Sequence, residues 1–138
     1  MSLPKITVTC AVIYNSAGHV LLAQRSATMR NPLLWEFPGG KLEPNEEPAD
    51  CLLREINEEL NLKIEIQDFI GKYSYQYPNF EIELLAFSAK LSSFTDEPVL
   101  TEHNAYCWVP PQYLLAFDLS PADIELAVYL SEIGSNTN

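Results

Sequence analysis

Three glutamates, Glu55, Glu58 and Glu59, lie three and four residues apart in a stretch whose apolar residues recur at helical spacing: Ala49, Leu52, Leu53, Ile56 and Leu60. On a helix the acids share one face, roughly 130° around from the apolar stripe at about 100° per residue. Like charges at these spacings cost about 0.2–0.5 kcal/mol per pair. A chain selected for helix stability alone would carry Lys or Arg at one of the three positions. A divalent cation among the carboxylates removes the repulsion, and a hard ion such as Mg²⁺ prefers such oxygen ligands. Taken alone, the helix is equally well read as a solvated face on an acidic protein.

The flanking residues narrow the choice. A glycine pair, Gly39-Gly40, opens the stretch; Glu46 follows in an acidic loop, and Arg54 immediately precedes Glu55. Gly40, Glu46, Arg54, Glu55, Ile56, Glu58, Glu59 and Leu62 match the pattern G-x5-E-x7-R-E-U-x-E-E-x-G-U, with U apolar, at each spacing. The chain therefore resembles the Nudix hydrolases of the MutT type. Asn61 stands where the pattern has glycine. That position is the end of the helix, which commonly turns through a left-handed residue, and asparagine tolerates this backbone next best after glycine.

The resemblance implies an α/β/α sandwich with a mixed β-sheet between helices. It implies a metal site for Mg²⁺, with Mn²⁺ as a substitute, formed by the Gly39 carbonyl, Glu55, Glu58, Glu59 and Glu102. A carboxylate activates the attacking water, and Glu55 and Glu102 are both candidates. Arg54 orients a neighbouring carboxylate. By the same resemblance Arg25 and Lys41 lie near substrate phosphate, Gly40 lets the backbone approach the ligand, and Phe37 and Tyr77 line the base pocket. Core packing is the other reading of Phe37, and half-burial in a sheet that of Tyr77. Asp123 aligns with a base-reading position and serves equally well as a complement to a helix N-terminus; Asp118 is a weaker second. His103, beside Glu102, is weighed as a catalytic residue and set aside.

The implied reaction converts a nucleoside triphosphate and water to the monophosphate and diphosphate. The segment Phe117–Ile124 is similar to the CTP pyrophosphohydrolase branch, which points to CTP or dCTP, modified cytosine nucleotides, or oxidised purines such as 8-oxo-dGTP. Two alternatives stay open. One is a nucleoside diphosphate linked to another group, as in nucleotide sugars and dinucleoside polyphosphates. The other is a nucleotide-binding module without turnover.

Composition sets the outer limits. The 138 residues fit one domain, 1–138, with 134–138 as a frayed tail. A net charge of −11 argues against binding to nucleic acid polymers or anionic membranes. It leaves room for a free nucleotide, because a bound cation supplies local positive charge. Cys10, Cys51 and Cys107 are odd in number and sit among apolar residues, as expected for reduced thiols in a cytoplasmic protein. The apolar runs are too short for a membrane span or signal peptide. Either a monomer or a homodimer is compatible with this sequence.

The elements that must position these residues follow from the pattern. Strands are expected at 6–14, 19–24, 62–77 with a bend near Gly71, 80–91 and 106–109. Pro48 suits the first turn of the acidic helix, and Glu46 and Glu47 complement its dipole. A short helix or turn is expected at 112–116, and Ser120 caps a final helix with Pro121 at its first position.

Overall fold

The computed structural model describes residues 3–136. It contains strands β1 (Lys5–Tyr14), β2 (Val20–Gln24), β3 (Trp35–Glu36), β4 (Gly39–Lys41), β5 (Ile64–Gln76), β6 (Glu81–Leu91) and β7 (Ala105–Val109), and helices α1 (Pro48–Leu60) and α2 (Ile124–Asn136). The strands form one mixed sheet, ordered β3-β2-β1-β6-β5, with β4 also paired to β1 and β7 to β2.

β1 is the centre of that sheet. It runs parallel to β6 from Lys5 opposite Glu81 to Tyr14 opposite Lys90, and antiparallel to β4 from Val8 opposite Lys41 to Cys10 opposite Gly39. Its apolar run does not alternate with polar residues because both faces of the sheet are covered. Cys10 and Val12 enter one core with Val20, Leu22, Leu126 and Leu130, which brings in α2. Ala11 and Ile13 enter the other with Leu21, Leu52, Ile56 and Leu60, which brings in α1. The two-residue period of one strand thus supplies both layers of the α/β/α sandwich.

Of the apolar stripe expected on α1, Leu52, Ile56 and Leu60 are fully buried, joined by Cys51, whereas Ala49 and Leu53 at the stripe's margin are exposed, Leu53 to 41%. Burial of Leu52, Ile56 and Leu60 is worth about 1.5–3 kcal/mol each. Pro48 begins the helix, and Asn61 ends it at φ 53°, ψ 38°, donating its N–H to the Asn57 carbonyl. Asn61 does more than tolerate the left-handed backbone. Its side-chain amide donates to the Val99 carbonyl at 2.7 Å. Val99 N–H returns a bond to Leu60, Thr101 N–H bonds the Glu59 carbonyl, and the Thr101 hydroxyl bonds the Glu58 carbonyl. The end of α1 is thereby fastened to the loop that carries Glu102 and His103.

β5 bends as its Gly71 predicts, with register shifts between Ile66 and Phe69 and between Phe69 and Gly71. The stretch around the glycine pair, for which the pattern predicts no element, holds the short strands β3 and β4. Two details differ from expectation. Ser120 makes no side-chain cap: a 3₁₀ turn, Pro121–Asp123, comes first and α2 starts at Ile124. Finally, α2 continues through Gly134 to Asn136, which the tail was expected to include; 137–138 lie outside the described residues. A Cβ at Gly134 would fall 2.8 Å from Pro111, so the missing side chain lets the last turn pack closely on the 3₁₀ segment Pro111–Ala116.

Candidate active site

The acidic face of α1 is organised by Arg54. Its guanidinium grips Glu46 through two bonds, Nε to Oε2 at 2.9 Å and Nη2 to Oε1 at 3.0 Å, and reaches Glu55 Oε1 through Nη1 at 2.9 Å. Glu58 lies 3.5 Å from the same Nη1. This fork geometry is one that lysine cannot supply. Arg54 holds the Glu46 carboxyl down at about 2. Glu46, expected to serve the helix dipole, is thus the partner that fixes Arg54. The three acids are not equivalent: the side chain of Glu58 is 57% exposed, whereas those of Glu55 and Glu59 are 18% and 22% exposed.

Glu55 rests against the glycine pair. A Cβ at Gly40 would overlap the Glu55 carboxyl group, and one at Gly39 would overlap the backbone of Thr9. The two glycines therefore serve different ends. Gly39 allows β4 to pair closely with β1, and Gly40 makes room for a carboxylate.

A second chain of contacts runs beside the first. Arg25 Nη1 bonds Glu36 Oε1 at 2.7 Å, Glu36 Oε2 lies 2.8 Å from His103 Nε2, and His103 Nδ1 lies 3.6 Å from Glu59 Oε2. Arg25, expected at substrate phosphate, also bonds the Arg30 carbonyl through Nε. Glu59 is pushed up to about 9, first by burial and then by its bond to Glu55 and the nearby charge of Glu36.

Asp123 is buried at the start of the final helical segment, and its Oδ2 accepts the Phe37 N–H at 3.0 Å. Its carboxyl is raised well above the usual range by burial and then by the Glu36 charge; the Phe37 bond and Arg25 oppose the rise. Local pairing places it there. Trp35 N–H donates to the Asp118 carbonyl, Ser120 N–H donates to the Trp35 carbonyl, and the Trp35 ring meets Phe117 edge-on at 5.2 Å.

These parts converge. Arg25, Lys41, Glu59, Glu102 and Asp123 line one cleft of about 350 Å³, with Phe37 and the backbone of Gly39 and Gly40. Phe37 is nearly fully buried and belongs to the core at the same time. Tyr77 lies instead in an adjoining cavity of about 140 Å³, which shares Arg25, Glu36 and Asp123 with the cleft. Its ring is stacked on Phe80 at 4.9 Å and its hydroxyl accepts from Asn31 at 3.1 Å. Arg54, Glu55 and Glu58 do not line the cleft; they flank it on α1. Two lining residues, Glu36 and His103, escaped sequence reasoning as site residues. For Glu36 the available signal was its place between two aromatics in Trp35-Glu36-Phe37, which a strand turns to the opposite face from its neighbours; for His103 it was its place beside Glu102.

A sandwich with an acidic helix set against a glycine pair on a neighbouring strand matches a known family. The NUDIX domain model matches residues 4–129. The chain is 34% identical over 122 residues to a CTP pyrophosphohydrolase of Escherichia coli strain K12, covering 88% of this chain and 89% of that protein. It is 33% identical over 109 residues to an 8-oxo-dGTP diphosphatase of Proteus vulgaris, covering 79% and 94%. Its fold superimposes on a MutT protein crystal structure from Methanosarcina mazei Go1 with TM-score 0.86 at 25% identity, covering 100% of this chain and 99% of that one. The chain belongs to the NUDIX domain family and is a Nudix hydrolase.

Proposed function

We propose that this Nudix hydrolase is a pyrophosphohydrolase that cleaves nucleoside triphosphates to monophosphate and diphosphate with the help of Mg²⁺, or Mn²⁺ in its place. Cytosine nucleotides and oxidised purine nucleotides are the substrate classes. The observation that carries the reading is the shared cleft, where Glu59, Glu102 and the Gly39 backbone open onto the same space as Arg25, Lys41 and Asp123. The names of the CTP- and 8-oxo-dGTP-hydrolysing relatives support the same substrate classes.

The residues suit a divalent ion. The Gly39 carbonyl, Glu55, Glu58, Glu59 and Glu102 are an all-oxygen set, the donor chemistry that Mg²⁺ and Mn²⁺ take. Glu59 is pushed up to about 9 among its acidic neighbours, as expected of a carboxyl that lacks a sufficient counter-charge. When bound, the ion supplies positive charge to the polyphosphate and acidifies a water.

The chain's own residues do the rest. Glu55, held by Arg54 through a 2.9 Å bond, accepts the proton of the attacking water, with Glu102 as the other candidate. Arg54 positions Glu55 and does not touch substrate. Lys41 contributes charge toward the phosphates. Arg25, already bonded to Glu36, keeps the Glu36 carboxylate fixed at the wall between the cleft and the smaller cavity. Asp123 reads the base: ionised, it accepts from an exocyclic amine; protonated, it also donates to a base oxygen or nitrogen. The acceptance of free nucleotides and not of nucleic acid polymers fits the −11 charge. No helix among the described residues is long and apolar enough to cross a membrane. We place the enzyme in the cytoplasm, as a monomer or homodimer.

The test is diphosphate release with Mg²⁺ across CTP, dCTP, 5-methyl-dCTP, 8-oxo-dGTP and dGTP, with a nucleotide sugar and a dinucleoside polyphosphate for comparison. Release from the cytosine or oxidised purine triphosphates at the highest kcat/KM is the expected result. Turnover of the sugar nucleotide or dinucleotide alone, or of nothing, overturns the proposal.

A further inference from the structure

We infer that Glu36, Glu59 and His103 form a second, mixed oxygen and nitrogen metal site that takes a first-row transition ion such as Mn²⁺ or Co²⁺ in preference to Mg²⁺. The inference stands apart from the proposed reaction, since an ion can bind here whether or not the chain turns a nucleotide over.

Geometry carries it first. One ligand atom from each of the three side chains lies within 4.8 Å of the other two. Metal–ligand bonds to such atoms are about 2.0–2.2 Å long, so small side-chain rotations bring all three onto one ion. The residues come from three separate places in the chain: β3, the last turn of α1, and the loop fastened to that turn through Asn61 and Thr101. Glu36 is held in place by Arg25, in the way that charged partners commonly orient a ligand carboxylate.

The imidazole supplies an independent observation. His103 is only 7% exposed, and its Nδ1 is buried with no hydrogen-bond partner among the described residues, facing Glu59 Oε2 at 3.6 Å. A buried ring nitrogen left unpaired costs free energy. A shift of the ring that lets one nitrogen ligate an ion while the other bonds a carboxylate satisfies both. The site also opens onto the cleft, so an ion can reach it.

Chemistry then sets the class of ion. The set of Glu55, Glu58, Glu59, Glu102 and the Gly39 carbonyl offers oxygen alone, which suits Mg²⁺. One imidazole with two carboxylates favours the ions that accept nitrogen, in the rising order Mn²⁺, Co²⁺, Ni²⁺. Glu59 has two carboxylate oxygens, so it can serve both sets.

The test is pulsed electron paramagnetic resonance of Mn²⁺ bound to the untagged protein, which reports nitrogen directly coordinated to the ion. The chain has two histidines, and the other, His19, follows the Asn15–Gly18 turn. Imidazole nitrogen coupling is expected in the parent and in His19→Gln, and its loss is expected in His103→Gln. Mn²⁺ affinity should fall at least about tenfold in His103→Gln and in Glu36→Gln. Glu55→Gln should keep the nitrogen coupling even though hydrolysis is lost, which separates this site from the proposed reaction. A parent spectrum without nitrogen coupling at saturating Mn²⁺ overturns the inference, and so does coupling that disappears in His19→Gln. The parent and His19→Gln spectra decide the matter even if His103→Gln fails to fold.

Discussion

Asn61 and Val99 are joined by a 2.7 Å hydrogen bond from the asparagine amide to the valine carbonyl. The residue that turns the chain out of α1 is therefore also a fastener for the loop that delivers Glu102 and His103. Asn61→Gly is expected to keep the left-handed turn and lose the fastener. Relief of backbone strain, about 1 kcal/mol, roughly offsets the lost bond, also about 1 kcal/mol. Urea unfolding should change little, while the Mg²⁺ concentration needed for half-maximal turnover should rise several-fold. An unchanged Mg²⁺ dependence would detach the loop from metal binding.

The two glycines should respond differently to alanine. At Gly40 the new Cβ meets the movable end of Glu55; at Gly39 it meets the β1 backbone at Thr9 and Cys10. Gly40→Ala should keep its melting temperature within a few degrees and lose at least about tenfold in kcat through displacement of Glu55, the proposed general base. Gly39→Ala should lose stability, by about 1–3 kcal/mol for the forced shift. Melting curves paired with kcat for both variants check this, and a Gly40→Ala enzyme as active as the parent would contradict the placement of Glu55.

Proton release should accompany ion binding. Glu59 sits at about 9 before an ion arrives, so at pH 7 it is mostly protonated. A cation beside it favours the carboxylate and expels the proton. Apparent Mg²⁺ affinity should therefore rise with pH from 7 through about 9 and level off above. Calorimetry of Mg²⁺ binding in two buffers of different ionisation enthalpy measures the released proton directly; identical heats in both would remove Glu59 from the ligand set. Without the ion the sign is opposite for stability. A carboxyl raised in the fold contributes fully below its unfolded value and loses that contribution as pH climbs through the folded one.

Asp123 follows the same sign. Its raised carboxyl is destabilised by ionisation as pH rises above the ordinary aspartate range. Asp123→Asn keeps an acceptor for the Phe37 N–H and cannot ionise. Its melting temperature should exceed that of the parent at pH 7, and the gap should close as pH falls toward about 4. Asp123→Ala should alter the ratio of kcat/KM between CTP and 8-oxo-dGTP more than it alters kcat. An unchanged ratio would remove Asp123 from base recognition.

Much of this arrangement was legible in the chain. Leu52, Ile56 and Leu60 announced the buried side of α1, and Asn61 its left-handed end, because helical periodicity and end chemistry are local. The bend at Gly71 was legible for the same reason. The short strands β3 and β4 were not, since two or three residues beside glycine and proline carry no period. Ser120 looked like a cap from its neighbours, but its N–H is drawn to the Trp35 carbonyl and a 3₁₀ turn intervenes before α2. The pairing of Glu36 with His103 spans 67 positions. Only the crossing of β3 with the loop after β6 creates it, and no spacing rule reaches that far.

The central claim is that Glu55, held by Arg54 on α1, serves water attack on a nucleotide bound in the neighbouring cleft. The most direct measurement is single-turnover diphosphate release by Glu55→Gln, at saturating Mg²⁺ and with whichever triphosphate the parent cleaves best. A fall of at least about 10²-fold in rate, with unchanged circular dichroism and nucleotide affinity, is the predicted result. A rate equal to that of the parent would contradict it.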